Sequence, residues 1–211
     1  MRKWIPAGLI VAAWLVSFAL FDRLPERIPT HWGLDGQVDG WSGRTFGAFG
    51  MPAIMIAVWA LCYWLPAIDP RRANYEKFRG TYDVVIASVL ALMLVVHATV
   101  LAASIGMAVR VGMIVPIAVG VLLIIIGNLL PRARPNWFFG IRTPWTLSSD
   151  RVWAQTHRLG GRVMVIAGIL VALSAFTGSR WPAILVPIAA AGAALVPIIY
   201  SYILWRDERR G

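Results

Sequence analysis

The sequence is poor in cysteine, in charged residues and above all in acidic residues. Among its 211 residues there is one cysteine, Cys62, and 14% of residues are charged, with 10 Asp and Glu against 20 Lys and Arg. A single cysteine excludes a disulfide framework within the chain and a zinc site built from several cysteines. The low charged fraction excludes an ordinary soluble domain, in which about a quarter of the residues are charged.

Sequence motifs of common enzymes and transporters are also absent. The chain contains no HExxH and no GxSxG pattern, which would hold a zinc ion or a nucleophilic serine in a known local geometry. No apolar run carries paired carboxylates, and no internal repeat indicates an inverted-repeat transporter. We therefore predict a protein that is not an enzyme and that needs no cofactor.

Long apolar runs are what the sequence has in quantity. Hydrophobic residues make up 59% of the chain, and the mean hydropathy is +0.69. Six runs are long enough to cross a hydrocarbon core about 30 Å thick. We predict an all-α integral membrane protein, a bundle of six transmembrane helices, with the first run retained as an anchor because no A-x-A cleavage site follows it. The runs are 4–21, 45–68, 84–109, 111–130, 163–179 and 181–205.

Basic residues are distributed unevenly between the two sides of such a bundle. If the N-terminus is inside, fifteen of the 20 Lys and Arg fall on inner segments, as the positive-inside rule requires. Both termini and the loop 131–162 are then cytoplasmic, and the loop 22–44 faces outward. The excess of Lys and Arg on the inner side accounts for the formal charge of +10. We therefore predict no direct nucleic-acid binding. The five outer cations are Arg23, Arg27, Arg44, Arg110 and Arg180.

A polar and aromatic stretch, 136–161, interrupts the apolar runs and is called the central stretch below. Gly140 and Pro144 predict a shaped loop over 136–146, followed by a helix that Ser148 or Ser149 caps and that Asp150 stabilises at its first turn. Trp153 and His157 are four residues apart and so lie on one helix face. Two interpretations remain open: a binding or signalling site, or an interfacial loop with Trp at the headgroups. The candidate site residues are Asn136, Phe139, Gly140, Arg142, Thr143, Pro144, Trp145, Trp153 and His157.

The outer loop 22–44 is rich in turn-forming residues. It is predicted to be compact, with one short strand or helix, and to lie against the bilayer through Trp32 and Trp41. His31, Asp35 and Asp39 are weak candidates for a metal site; the alternative is that His31 forms a hydrogen bond within the loop while the aspartates cap turns. A calcium loop is not supported, because Phe46 stands where the bidentate Glu is needed.

Two further features concern the inner loop 69–83 and His97. The mixed charges of the inner loop predict a short surface helix lying on anionic lipid. His97 is the ionisable group deepest in a predicted span, which makes it a functional candidate. Its partner must come from another helix, with Ser17, Asn128 or Ser174 as possibilities. It then serves either to join helices by a hydrogen bond or to handle protons.

The stretch NWFFGIRTPWTLSSDRVWAQTHRLGG resembles the signature of the SdpI family of bacterial membrane immunity proteins. Near the N-terminus, IPTHWGLDGQVDGW resembles a small domain of unknown function found in many members, on Pro29, His31, Trp32, Gly36, Asp39 and Trp41. The resemblance implies two regions, 1–68 with the outer loop and 69–211 with the inner loop. The family pattern falls on Asn136, Phe139, Gly140, Arg142, Thr143, Pro144, Trp145, Thr146, Trp153, His157 and Gly161.

This resemblance implies a multi-pass protein of the bacterial cytoplasmic membrane. Its function would be to protect the cell from a secreted antimicrobial peptide that acts on the bilayer. Its partners would be that toxin outside and a small transcriptional repressor, sequestered at the inner face. Two other classes stay open: a membrane-embedded metal-dependent hydrolase using His31, and a small transporter or channel subunit using His97.

Overall fold

The computed structural model describes residues 4–33, 37–178 and 180–210. Six of its helices are long and apolar enough to cross a membrane, which confirms the predicted set of spans. They are α1 (Ile5–Leu20), α2 (Arg44–Ile68), α4 (Arg79–Ser104), α5 (Val111–Leu129), α7 (Asp150–Ser174) and α8 (Arg180–Glu208). The shorter elements are α3 (Ala73–Glu76), α6 (Pro144–Ser148), strands β1 (Arg27–Trp32) and β2 (Val38–Gly43), and 3-10 turns at Phe21–Arg23 and Leu130–Arg132.

Helix α7 is longer than its apolar run predicts. The fifth span was expected over 163–179, but one continuous helix begins at Asp150 and ends at Ser174. Ser149 caps it, since its hydroxyl accepts the Val152 N–H at 3.3 Å, as expected. An apolar run marks only the part of a helix that lies in hydrocarbon, and it does not show where the helix ends. The charged turns before residue 163 were therefore not included in the predicted span. Residues 150–161 of the central stretch and the fifth span therefore form one continuous helix.

Close backbone contact joins α5 to α7. These two helices make the most extensive contacts in the described structure, followed by α7 with α8. A Cβ atom built on Gly168 would lie 2.5 Å from the carbonyl oxygen of Gly120, and one built on Gly127 would lie 2.6 Å from that of Gly161. Small residues at these crossings let the two backbones pack directly, as in other membrane helix pairs.

A buried polar contact joins α1, α2 and α4. His97 Nε2 lies 2.8 Å from the Ser17 hydroxyl, which also lies within hydrogen-bond distance of the Ala48 carbonyl oxygen. His97 and Ser17 are both buried. Of the three predicted partners, Ser17 is therefore the one that the fold brings to His97. The contact ties three helices together, as a hydrogen bond across a membrane bundle does.

The loop between α1 and α2 forms an antiparallel hairpin of β1 and β2. The expectation of a single strand or helix was wrong, because Arg27–Trp32 and Val38–Gly43 are both extended and supply each other's backbone hydrogen-bond partners. Ile28 is fully buried and packs with Leu24, Ala48 and Leu101. This contact fixes the hairpin on the ends of α1, α2 and α4. Asp35 and Gly36, named above as candidates, lie outside the described residues.

The segment 133–149, which includes α6 and is called the central loop below, folds at the opposite end of the bundle from this hairpin. Thr143 is extended and Gly140 has a φ of +102°, as its sequence predicts. The expected loop over 136–146 is nevertheless too long, because Pro144, at the first helical position, begins α6. Proline suits that position, where its missing N–H is not needed.

Candidate functional site

Asn136 is the centre of the hydrogen bonds that shape the central loop. Its side-chain oxygen accepts the backbone N–H of Phe138 at 3.0 Å and of Phe139 at 2.6 Å. Its amide nitrogen donates to the carbonyl oxygens of Arg134 at 2.8 Å and Phe139 at 2.9 Å. Because Asn136 is fully buried, these bonds replace water contacts that it cannot make. The side chain therefore holds residues 134–139 in one conformation.

His157 holds the next part of the loop. The backbone N–H of Ile141 donates to His157 Nε2 at 3.0 Å, and His157 Nδ1 donates to the Trp153 carbonyl oxygen at 2.8 Å. An N–H can only donate and a carbonyl can only accept, so the imidazole is neutral with its proton on Nδ1. The ring lies so close to Gly140 that a Cβ atom there would be 2.4 Å from Nε2. Gly140 is thus needed both for its positive φ and for this approach.

Trp153 lies beside His157 inside the protein. The two rings stack with centroids 4.0 Å apart, and both side chains are almost completely buried. The Trp153 indole N–H donates to the carbonyl oxygen of Ala133 at 2.9 Å. A tryptophan at the lipid headgroups would be exposed, so the interfacial interpretation is wrong for this residue. Its role is to connect α7 to the start of the central loop.

The end of the loop is held by two threonines and by α8. Thr143 and Thr146 form a capping box at the start of α6, each hydroxyl accepting the other residue's backbone N–H. The Thr143 hydroxyl also lies 3.1 Å from that of Ser201, a buried residue of α8. Nearby, the rings of Trp145 and Tyr202 are 5.1 Å apart. The loop is therefore fixed to both α7 and α8.

A further support, which the sequence reading missed, comes from residues 69–78. Asp69 is buried, and its carboxylate accepts the backbone N–H groups of Arg71 at 2.7 Å and Trp137 at 2.9 Å. The Tyr75 hydroxyl lies 3.1 Å from Asp69 Oδ2 and 3.2 Å from Asn136 Oδ1. Burial, and then the Asp69 charge, raise the pKa of Tyr75 above its usual value. The phenol stays protonated at neutral pH and can donate one hydrogen bond to either oxygen.

Two further hydrogen bonds and a set of aromatic rings complete this support. Arg71 donates to the Leu147 carbonyl oxygen at 3.0 Å, and Asn74 donates to that of Pro135 at 2.8 Å. Phe139 of the loop packs its ring against those of Phe78 and Tyr82. The predicted helix on the inner loop exists as α3, but one side of this segment packs on protein. The missed signals were Asp69-Pro70, a turn dipeptide directly after an apolar run, and the aromatic residues Tyr75, Phe78 and Tyr82, which follow one another at helical spacing.

Arg142 lies on the exposed surface of the central loop. Its guanidinium donates to the carbonyl oxygens of Gly140 and Trp137, both at 3.2 Å, while the side chain remains exposed. Trp137 is 48% exposed. These two residues and α6 line a shallow cavity of about 470 Å³ that includes Thr143, Pro144 and Leu147. The loop thus presents a rigid rim of one tryptophan and one arginine, groups that commonly anchor protein partners.

Comparison with known proteins shows the family to which the chain belongs. Residues 132–201 match the SdpI/YfhL protein family, and residues 8–56 match a domain of unknown function, DUF1648. The Immunity protein SdpI of Bacillus subtilis (strain 168) is 31% identical over 180 residues, which is 84% of each chain. The chain belongs to the SdpI family. No solved structure matches it. Similarity to a bacterial immunity protein and six membrane-capable helices together identify a multi-pass protein of the bacterial membrane.

Within this SdpI-family fold, the nine candidate residues of the central stretch come together at one end of the bundle. Asn136, Phe139, Gly140, Thr143, Trp153 and His157 build the inside of the loop, whereas Arg142, Pro144 and Trp145 lie towards its surface. One detail of the geometry differs from a further expectation, that a histidine at this place on the helix would donate a hydrogen bond to the loop carrying Asn136 and Thr143. His157 instead accepts one from the Ile141 N–H, because its other nitrogen already donates within α7. The supporting residues Asp69, Tyr75, Ile141 and Ser201 were not anticipated.

The hairpin at the other end carries the remaining candidates. His31 Nδ1 and Asp39 form a close hydrogen-bonded pair on the exposed side of the hairpin. Within the described residues no three His, Cys, Asp or Glu side chains are grouped to hold a metal ion. Beneath the hairpin lies a groove of about 820 Å³ between α4, α5 and α8, whose walls include Trp32, Val96, Val115 and Pro187. It is apolar in its depth and has the His31–Asp39 pair at its rim.

Proposed function

We propose that this chain protects its cell against a secreted antimicrobial peptide, in the manner of the SdpI immunity protein that it resembles. The observation that carries the proposal is the 31% identity over 84% of both chains. The central loop supports the proposal in two ways. Its buried polar groups hold the loop in one conformation, and its surface presents a rim to which a protein partner could bind. On the topology predicted from charge, the hairpin and its groove face the toxin and the central loop faces the cytoplasm.

The groove beneath the hairpin has the chemistry expected for an apolar peptide that enters the bilayer. Its walls come from three membrane helices and carry small or branched apolar side chains, among them Val100, Val111 and Ala183. Pro116, Pro182 and Pro187 also line it. Valine, alanine and proline side chains are short, so they leave space between the helices. A hydrophobic segment that displaced lipid from this groove would bury apolar surface on both molecules.

The inner face has the chemistry expected for recruitment of a small transcriptional repressor. Trp137 and Arg142 project from a loop that three separate elements hold rigid, so binding there requires little ordering of the site. Peptide binding at the groove and repressor binding at the loop would be linked through α8, which lines the groove with Pro187 and contacts Thr143 with Ser201.

A growth experiment tests the protective function. The gene is deleted from its source bacterium, and the deletion strain, the parent and a complemented strain are grown in medium conditioned by the parent at high cell density. We expect the deletion strain to lose viability and the complemented strain to survive like the parent. Equal survival of all three strains would contradict the proposal, provided that the membrane content of the protein in the complemented strain matches that of the parent.

Arg142→Lys distinguishes a binding rim from a charge that merely fixes orientation. The guanidinium spans two carbonyl oxygens with separate N–H groups, and a single ammonium cannot reproduce that planar arrangement. We expect Arg142→Lys and Arg142→Ala to lose protection in the growth experiment alike. The exposed side chain contributes only about 1 kcal/mol or less to stability, so the thermal unfolding midpoint in detergent should hardly change.

Trp145→Ala serves as the companion variant at the same surface. It removes the ring contact with Tyr202 and should also abolish protection while the protein still inserts. Full protection by Arg142→Lys would mean that the residue supplies only a positive charge, and the central loop would lose its role as a binding surface.

A further inference from the structure

The inner ends of α1, α2 and α4 form two adjoining cavities that the proposed function does not use. The first, of about 270 Å³, is lined by Pro6, Trp59, Cys62 and Ile86 among others, and most of its wall is apolar. The second, of about 500 Å³, is lined by Trp64, Ala73 and Tyr75 among others. Tyr63, Pro66 and Arg79 line both cavities. The two spaces therefore adjoin, with an apolar part along the helices and a polar part at their ends.

Four charged side chains of opposite sign line these cavities. Arg72 and Glu76 belong to the second, Asp83 to the first, and Arg79 to both. Within the part of the chain that the structure describes, none of the four side chains forms a hydrogen bond or a salt bridge; the two described salt bridges are elsewhere, at His31–Asp39 and Arg206–Asp207. Opposite charges four residues apart can pair along a helix, which is the spacing of Arg72 and Glu76 and of Arg79 and Asp83. Neither of these two described pairs forms a salt bridge.

The surroundings place this charged group at the level of lipid headgroups. Tyr63 and Trp64 are 68% and 63% exposed at the end of a membrane-capable helix, the position that aromatic residues favour at a membrane surface. The apolar cavity runs from there along α2 and α4, where acyl chains lie. A ligand that fills both cavities must therefore have an apolar chain and a polar end.

Charge complementarity decides which polar end fits. Two guanidinium groups suit a phosphate, but a purely anionic headgroup would also meet two carboxylates, which repel it. A headgroup with a phosphate and a primary ammonium satisfies both signs, since the ammonium donates hydrogen bonds to carboxylate oxygens. A quaternary ammonium has no N–H to donate.

We propose that this pair of cavities is a binding site for a phospholipid of the phosphatidylethanolamine type. Arg72 and Arg79 bind its phosphate, Glu76 and Asp83 accept hydrogen bonds from its ammonium, and the cavity beside Trp59 and Ile86 holds part of an acyl chain. Tyr75 lines the polar cavity and also bonds the central loop, so lipid occupancy would bear directly on the support of that loop.

Native mass spectrometry of the purified full chain in detergent tests the site. The protein is titrated with phosphatidylethanolamine, phosphatidylcholine or phosphatidylglycerol carrying identical acyl chains, and with soluble phosphoethanolamine. We expect phosphatidylethanolamine to bind about fivefold more tightly than the other two lipids, the effect of one or two partly exposed charge contacts. Soluble phosphoethanolamine should fail to displace it at equal concentration, because the apolar contacts are missing.

Three variants identify the contacts. Arg79→Gln should weaken both phosphatidylethanolamine and phosphatidylglycerol about fivefold. Glu76→Gln should weaken phosphatidylethanolamine but strengthen phosphatidylglycerol, a gain that misfolding cannot produce. Arg151→Gln is the matched control, since Arg151 is exposed at the same end and lines neither cavity, and it should change nothing.

Equal affinity for the three lipids would overturn the proposal, and so would unchanged lipid binding in Arg79→Gln. Displacement of the lipid by soluble phosphoethanolamine at equal concentration would also overturn it, by reducing the site to a polar one without a chain cavity. These outcomes are independent of the growth experiment, because lipid binding is measured without any toxin or repressor.

Discussion

Replacement of His157 by alanine is expected to release the central loop and abolish protection. The substitution removes the acceptor of the Ile141 N–H and leaves a space between Gly140 and Trp153. A buried N–H without an acceptor and a cavity of imidazole size together lower the free energy of unfolding by roughly 3 kcal/mol. Limited proteolysis in detergent should show rapid cleavage within 134–143, while the six spans stay intact.

His157→Gln is the matched variant. Its side-chain oxygen can accept the Ile141 N–H, so protease resistance and part of the protection should return. If His157→Ala kept the protease resistance of the parent, the histidine would not hold the loop and the site as described would be wrong.

Replacement of Gly168 by alanine is expected to separate α5 from α7. The new Cβ atom would lie 2.5 Å from the Gly120 carbonyl oxygen and 3.0 Å from the Ile124 backbone nitrogen, and backbone atoms on a packed helix cannot move aside cheaply. Such overpacking destabilises by about 1–3 kcal/mol, although alanine favours helix over glycine by roughly 1 kcal/mol. The thermal unfolding midpoint should therefore fall, and protection with it, because α7 carries His157.

Gly192→Ala is the control, since a Cβ atom at Gly192 would have nothing within 4 Å. There only the helix preference acts, and the midpoint should stay level or rise. A similar response at Gly168 and Gly192 would show that the α5–α7 crossing tolerates a side chain, contrary to the close approach seen here.

The helices and the loop could be predicted from the sequence because local physics determines them. Apolar runs of spanning length give six helices, Gly140 gives a positive φ, and Ser149 gives a cap. The face shared by Trp153 and His157 follows from helix periodicity alone. His97 had to find a polar partner on another helix, and Ser17 was among three possibilities. Each of these inferences needed information from only a few neighbouring residues or from burial in an apolar medium.

The missed features depend on how distant segments pack. Asp69 and Tyr75 lie more than sixty residues from Asn136 in sequence, and mixed charges along 69–83 indicated only a surface position. The strand pairing of the hairpin was missed because pairing needs a partner across a turn. The direction of the His157 hydrogen bond depends on the tautomer, which the Trp153 carbonyl fixes only once α7 is folded. Tertiary contacts decided all of these features.

The assignment of the hairpin to the outside and of the central loop to the cytoplasm is tested most directly by the accessibility of single cysteines to an impermeant thiol reagent in intact cells. In a Cys62→Ala background, Thr30→Cys reports on the hairpin and Ser148→Cys on the central loop; both positions are exposed. The uneven distribution of Lys and Arg predicts labelling of Thr30→Cys in intact cells and of Ser148→Cys only after permeabilisation. The reverse pattern would place the groove inside and the central loop outside, and would contradict the assignment of both faces.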